Sequence, residues 1–232
     1  MTKSVLVTGV SSGIGLAQAQ AFLKLGYTVY GLDLADEPKL IGNFHFYQAD
    51  ISQDCQAIFE EIGTIDILCN TAGVLDAYLP LLDISQDQFT RVMNVNFFGA
   101  VRTTSFFLGK MRAQQSGIII NMCSIASFMA GGGGAAYTAS KHALAGFTRQ
   151  LALDYAKAGI SVFGIAPGAV KTEMTASDFE PGGMADWVAQ ETPIGRWLEA
   201  DEVANLTLYL ASGNASGLQG EIVKIDGGWS LK

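Results

Sequence analysis

The hydrophobic positions of the chain alternate between two rhythms. Short, nearly unbroken apolar runs near 4–8, 27–32, 44–48, 65–69, 117–122, 160–166 and 221–225 read as strands covered on both faces. Between them, apolar residues recur at helical steps near 13–25, 52–62, 85–113, 136–157 and 200–212. Ile14, Ala17, Ala21, Phe22 and Leu25, closed by Gly26, show the helical step well. Ser85-Gln86-Asp87-Gln88 reads as a capping box opening the longest helix. Alternating buried strands and helices predict an α/β fold: a single Rossmann-fold domain over 1–232, with a doubly wound parallel sheet of about seven strands. One junction is too short for a crossover helix. Leu34 to Phe44, with Pro38 and Gly42, must be spanned by a degenerate helix or coil, although parallel strands normally need a longer connection.

The first strand–helix junction carries a ligand prediction. Ser4-Val5-Leu6-Val7-Thr8 runs into Gly9-Val10-Ser11-Ser12-Gly13-Ile14-Gly15 at the start of a helix. Backbone N–H groups and the positive end of the helix dipole there suit a pyrophosphate, while a glycine-rich turn without a ligand is the competing reading. The second strand, Tyr27-Thr28-Val29-Tyr30-Gly31-Leu32, ends at Asp33, eighteen positions after Gly15. A carboxylate about 20 residues beyond such glycines meets the ribose hydroxyls of a dinucleotide. It would also repel a 2′-phosphate, and neither Ser12 nor Leu34 supplies a cation to receive one. The expected cofactor is therefore NAD, with NADP second.

Tyr137-Thr-Ala-Ser-Lys141 carries the chemistry. Positions i and i+4 share a helix face, so the Lys141 ammonium can lie beside the Tyr137 phenol and favour its ionised form. A free phenol titrates at about 10, too high for acid–base work near neutrality without such help. Tyr-x-x-x-Lys alone is common on solvated helix faces. Its weight comes from Ser124 at the end of an apolar run, with twelve residues between it and Tyr137, and from Asn96 in a helical stretch upstream.

Together these segments resemble the short-chain dehydrogenase/reductase family along nearly the whole chain. The matching segments are Thr8-Gly9-x-x-x-Gly13-x-Gly15, Asn70-Thr71-Ala72-Gly73, Asn96 within Val95-Asn96-Phe97-Phe98-Gly99, Ser124 with Tyr137 and Lys141, Pro167-Gly168-Ala169-Val170-Lys171-Thr172, and Ile225-Asp226-Gly227-Gly228. The resemblance implies hydride transfer between a nicotinamide and a carbonyl or secondary alcohol, with Asn96, Ser124, Tyr137 and Lys141 as the catalytic set. It implies cofactor contacts from Gly9, Ser11, Ser12, Gly13, Ile14, Gly15, Asp33, Leu34, Asp50, Ile51, Asn70, Ala72, Gly73, Tyr137, Lys141, Pro167, Gly168, Val170 and Thr172. Asp50, after the strand-like Phe46-Tyr47-Gln48-Ala49, would meet adenine. Thr71 replaces the family's second Asn and is expected to hydrogen-bond the central strand. Phe163 stands where many members have Asn, with no functional account. The resemblance also implies a homotetramer, or a homodimer, built on the two long helices, including the stripe Leu144, Phe147, Leu151 and Tyr155.

Composition narrows the alternatives. A net charge of −8 argues against nucleic acid and against an acidic carrier protein. A 3-oxoacyl-carrier-protein reductase, similar in chemistry, often has Arg where this chain has Ile118 and Ala158. A dihydrodiol dehydrogenase is the other enzymatic alternative, suggested by the shortened 34–44 stretch. An NAD-binding scaffold is disfavoured by the full tetrad, and an epimerase by the lack of room for a sugar-binding region. Cys55, Cys69 and Cys123 lack metal-ligand spacing and read as reduced thiols of a cytoplasmic protein, so no metal is expected. No apolar run is long enough for a membrane span. Val170 to Arg196 mixes Met174, Phe179, Met184 and Trp187 with Gly, Pro and acids, as expected of a lid over a small or medium neutral-to-hydrophobic carbonyl or secondary alcohol, with a solvated insertion as the competing reading.

Overall fold

The computed structural model describes residues 2–231. In chain order it contains β1 (Ser4–Thr8), α1 (Gly13–Lys24), β2 (Thr28–Asp33), β3 (Phe44–Gln48), α2 (Gln56–Ile62), β4 (Ile67–Asn70), α3 (Gln86–Met93), α4 (Ala100–Gln114) and β5 (Gly117–Met122). These are followed by α5 (Ala135–Tyr155), β6 (Ile160–Pro167), β7 (Val170–Lys171), α6 (Ala185–Glu191), β8 (Leu198–Glu199), α7 (Ala200–Ala211) and β9 (Ile222–Ile225). Seven strands form one parallel sheet in the order β3-β2-β1-β4-β5-β6-β9, and β7 pairs with β8 beside it.

Side-chain alternation explains why both faces need helices. Val5, Val7, Ile67, Cys69, Ile120, Met122, Phe163 and Ile165 share one apolar layer with Ala19 and Phe22 of α1 and Val203 and Leu210 of α7. Their strand neighbours Leu6, Leu68, Ile119 and Val162 face the other way, onto Phe107 and Met111 of α4 and Leu151 of α5. Phe163, without a functional account from sequence, is a buried member of the first layer. Chain order reverses between β1 and β4, which opens a crevice beyond their carboxyl ends.

Buried polar side chains stitch these layers. Asn70 Nδ2 donates to Asn121 Oδ1 at 2.8 Å and to Thr104 Oγ1 at 3.0 Å, and Asn121 Nδ2 donates to Thr148 Oγ1 at 2.9 Å. The central strand is thus held by Asn70. Thr71 also meets the sheet, its backbone N–H donating to Thr8 Oγ1 of β1 at 3.0 Å, while its hydroxyl donates to Gln18 Oε1 at 2.6 Å and Gln18 Nε2 donates to Thr207 Oγ1 at 2.8 Å.

Two expectations about elements change. The helix expected over 85–113 opens with the Ser85–Gln88 capping box but is broken by a π-helical turn, Asn94–Gly99, between α3 and α4. A π turn shifts the side-chain register locally, and Asn96 lies within it. The 170–196 stretch is more ordered than a loop, carrying β7, a 3-10 segment (Glu173–Phe179) and α6. Between β2 and β3 the chain runs without a helix, as the short spacing required.

Candidate active site

Glycine geometry builds the floor of the crevice. Gly9 follows β1 at φ +73°, and a Cβ there would stand 2.8 Å from Ala72 Cα; a Cβ on Gly15 would fall on the Gly9 carbonyl oxygen. Only glycine lets α1 start this close to the turn. Gly13 faces the Thr172 side chain across the opening, about where a substituent would begin to fill it. Asp33 closes the far side: its Oδ2 accepts from Ser11 N and its Oδ1 from Ala35 N, both at 2.9 Å. A cleft of about 910 Å³ results. Glycines packed against backbone, a helix N-terminus and a carboxylate at the end of β2 form a cradle that fits a dinucleotide.

At the other end of the cleft, β5 and α5 bring Ser124, Tyr137 and Lys141 together on one wall. Lys141 Nζ donates to Met122 O at 2.8 Å and lies 5.5 Å from the centre of the Tyr137 ring. Burial lowers Lys141 to about 8, opposed by Cys123. Burial likewise raises Tyr137 to about 12, against a hydrogen bond with Ser124 that lowers it. The expectation that Lys141 depresses the phenol is therefore not met, since Lys141 is not among the groups that lower it. The ammonium is engaged by a carbonyl and sits over the ring face, and desolvation dominates both groups.

Most expected site residues line this cleft: Gly9, Ser12, Gly13, Ile14, Gly15, Asp33, Leu34, Asp50, Ile51, Ala72, Gly73, Ser124, Tyr137, Lys141, Pro167, Gly168, Val170 and Thr172. Three of them stand behind the wall instead. Ser11 uses its backbone N–H on Asp33 and donates its hydroxyl to Asp36 O at 2.8 Å. Asn70 spends its amide on the sheet. Asn96 is buried, exchanging hydrogen bonds of 2.8 and 3.0 Å with the Val74 backbone and donating to Ser140 Oγ at 3.1 Å. Its side chain fastens the segment after β4 to α5. Among the lid residues, Met174, Met184 and Trp187 reach the cleft, whereas Phe179 packs on Trp197 at 4.9 Å between ring centres. Trp197 itself lines the cleft.

With this geometry in view, known proteins place the chain. A family profile described as enoyl-(acyl carrier protein) reductase matches residues 9–230. A 2-dehydro-3-deoxy-D-gluconate 5-dehydrogenase of Bacillus subtilis (strain 168) is 33% identical, over 98% of this chain and 94% of that protein. The solved structure of a 4-hydroxyisoleucine dehydrogenase complexed with NADH superposes with a TM-score of 0.94 at 29% identity, covering all of both chains. A gluconate 5-dehydrogenase from Burkholderia cenocepacia J2315, in complex with NADP and tartrate, superposes at 0.91 with 30% identity, covering 99% of this chain and 96% of that one. The chain belongs to the short-chain dehydrogenase/reductase family. It is an oxidoreductase that acts on CH–OH groups with a nicotinamide nucleotide.

Several residues of this short-chain dehydrogenase escaped the sequence reading. Asp76 is a buried carboxylate whose Oδ1 accepts from Gly134 N at 2.7 Å and whose Oδ2 accepts from Tyr137 N at 2.9 Å. It caps α5 from the segment after β4, and only its place just past Asn70-Thr71-Ala72-Gly73 could have drawn attention to it. Trp229 lines the cleft and meets Trp187 edge-on at 6.0 Å. Its signal was the preceding Asp-Gly-Gly turn, where Asp226 accepts from the N–H groups of Gly228 and Ser230, both at 3.0 Å. Tyr78 is the third. Among the described residues no helix is long and apolar enough to cross a membrane, and no group of His, Cys, Asp and Glu could hold a metal ion.

Proposed function

We propose that this enzyme interconverts a small or medium, neutral-to-hydrophobic secondary alcohol and its ketone, free of any carrier protein, with NAD(H) preferred over NADP(H). The observation that carries the reading is one cleft with Asp33 at one end and Ser124, Tyr137 and Lys141 at the other. When bound, the nicotinamide donates or accepts the hydride. Tyr137 exchanges a proton between its phenol oxygen and the substrate oxygen, and Ser124 holds that oxygen by a hydrogen bond. A phenol raised to about 12 is protonated at neutral pH, so in ketone reduction it enters as the acid. Lys141 would hold the nicotinamide ribose, and Asn96 positions Val74 and α5 around the reacting centre.

NAD(H) preference rests on charge. The Asp33 carboxylate, already oriented by two N–H groups, lines the cleft with Leu34 and Ser12, none of which can neutralise a 2′-phosphate. The apolar substrate end rests on Met174, Met184, Trp187 and Trp229, with Asp178 disfavouring an anion there. Exposed Phe98 beside α4 and Leu153 on α5 support a homo-oligomer built on the long helices, a tetramer in the first instance. Steady-state kinetics with NADH and NADPH on a ketone panel test the reading. A clear NADPH preference would overturn the cofactor assignment. A carrier-bound 3-oxoacyl group turned over far better than its free thioester would overturn the carrier-free one.

A further inference from the structure

The segment that leaves β4 contains an unusual piece of backbone. Ala77 and Tyr78 both adopt positive φ, +55° and +57°, a left-handed conformation that side chains disfavour. Two such residues in succession persist only where their surroundings hold them. Here the clamp is Asp76, whose Oδ1 accepts from Tyr78 N at 3.3 Å while the same carboxylate is fixed to the N-terminus of α5. The turn places Tyr78, half exposed, on the lining of the cleft that also holds Tyr137. Burial raises its phenol, and the charges of Asp178 on the lid and of Asp76 raise it further. Tyr78 in turn opposes ionisation of Tyr137. The ring thus stands between the catalytic wall and the lid.

Behind it lies unused space. A second, shallow cavity of about 320 Å³ is lined by Tyr78, Pro80, Ala130, Gly133 and Thr138, among others. Tyr78 and Gly131 border both this cavity and the main cleft, so the Tyr78 ring is part of the partition between them. Besides Leu79 and Pro80, the wall beyond it is made of small residues: Ala130, Gly131, Gly133, Gly134, Ala135 and Thr138.

We propose that Tyr78 is a specificity-determining residue, a wall that limits the length of the substrate group extending away from the reacting carbon. The strained turn fixes its position, and removing the ring joins the chamber to the neighbouring groove. Substrates of the native enzyme are accordingly compact on that side. This inference rests on the reading of Tyr137 as the reacting end.

The test compares 2-butanone with 4-phenyl-2-butanone, which differ by a phenyl group at the remote end, in wild type, Tyr78→Ala, Tyr78→Asn and Tyr78→Phe. The kcat/KM ratio of the longer ketone to the shorter should rise about tenfold or more in the Ala and Asn variants, the scale on which pockets discriminate small groups. Asn tolerates a left-handed backbone and so guards against a folding failure of the Ala variant. Tyr78→Phe keeps the wall, and its ratio should stay within about threefold of wild type. The dissociation constant for NADH should not change in any variant. A ratio that is unchanged or falls on removing the ring would overturn the inference while leaving the dehydrogenase reading intact. If wild type reduced neither ketone, the choice of carbonyl substrate would fail by itself. Binding of 4-phenyl-2-butanone to the NADH-loaded proteins would then decide, with about tenfold tightening in Tyr78→Ala expected and no tightening overturning it.

Discussion

Replacing Asp76 with alanine should loosen the catalytic helix at its first turn. Gly134 is the N-cap of α5 and Tyr137 its third residue, so Asp76 serves the two donors a local capping box would serve, from 58 and 61 residues away. Helix N-termini leave such N–H groups without intrahelical partners, and a carboxylate there also meets the favourable end of the helix dipole. Hydrogen bonds to a charged acceptor contribute about 1.5–3 kcal/mol each, but water entering the space left by the side chain recovers part of that. A net loss of about 2–3 kcal/mol follows, just above the usual range for a lost cap. For a chain of this size that lowers Tm by about 4–12 °C.

The catalytic consequence is separable from the stability one. Tyr137 is one of the residues held, and a displacement of about 1 Å at a reacting group can cost 10²-fold in rate. We expect kcat to fall about tenfold or more while NADH affinity, to which Asp33 and the Gly9–Gly15 turn contribute away from Asp76, falls less. Thermal unfolding at one scan rate, with steady-state kinetics below the transition, measures both. Asp76→Asn sharpens the test, because it keeps the volume but turns an N–H₂ toward one of the two donors, so it too should lose activity. An Ala variant that melts with wild type and keeps its kcat would refute the argument.

Four further outcomes follow from the same geometry. Tyr137→Phe should lower turnover about 10²–10⁴-fold with Tm and NADH binding retained, as stopped assays and equilibrium titration would show; a rate near wild type would mean that the proton moves elsewhere. Asp33→Ala should shift the kcat/KM ratio toward NADPH, because both the repulsion and the ribose acceptor are lost. Gly15→Ala should abolish cofactor binding or folding, since its Cβ would clash with the Gly9 carbonyl; normal NADH affinity would contradict the close packing. Burial holds Lys141 down to about 8, so from pH 8 toward its unfolded value of 10.5 the folded protein has shed a proton that the unfolded chain keeps. Stability of the cofactor-free wild type relative to Lys141→Met should therefore rise between pH 8 and about 10, and a flat difference in Tm would refute it. Tyr137 acts oppositely at higher pH, its contribution being lost from about 10 to 12.

Much of this molecule was legible from the chain because its determinants are local. Val5-Leu6-Val7 needs cover on both sides wherever it lies, and Ser85 with Gln88 caps a helix without help. Gly9, Gly13 and Gly15 report a tight turn by being glycines, and Tyr137 and Lys141 share a face because the helix period places them so. The π turn at Asn94–Gly99 was not legible. Helical periodicity continues across it, and nothing in Asn94-Val95-Asn96-Phe97-Phe98-Gly99 demands an extra residue in the turn. The demand is tertiary: Asn96 must reach both the Val74 backbone and Ser140.

The same distinction explains why the expected Tyr137–Lys141 interaction came out differently. Helical spacing fixes which side chains are neighbours but says nothing about what each one buries or where its hydrogen bonds go. Lys141 found the Met122 carbonyl on β5, and both groups lost water to the same walls, so burial moved the ammonium down and the phenol up. Asp76 and Tyr78 lie further along that line. Their partners are Gly134, Tyr137 and the lid, brought within reach only once the sheet has placed β4 beside β5. An acid–base pair can therefore be read from one helix. Its working pKa values and the shape of the chamber it serves are properties of the crossing between that helix and the segment after β4, which exists only in the folded protein.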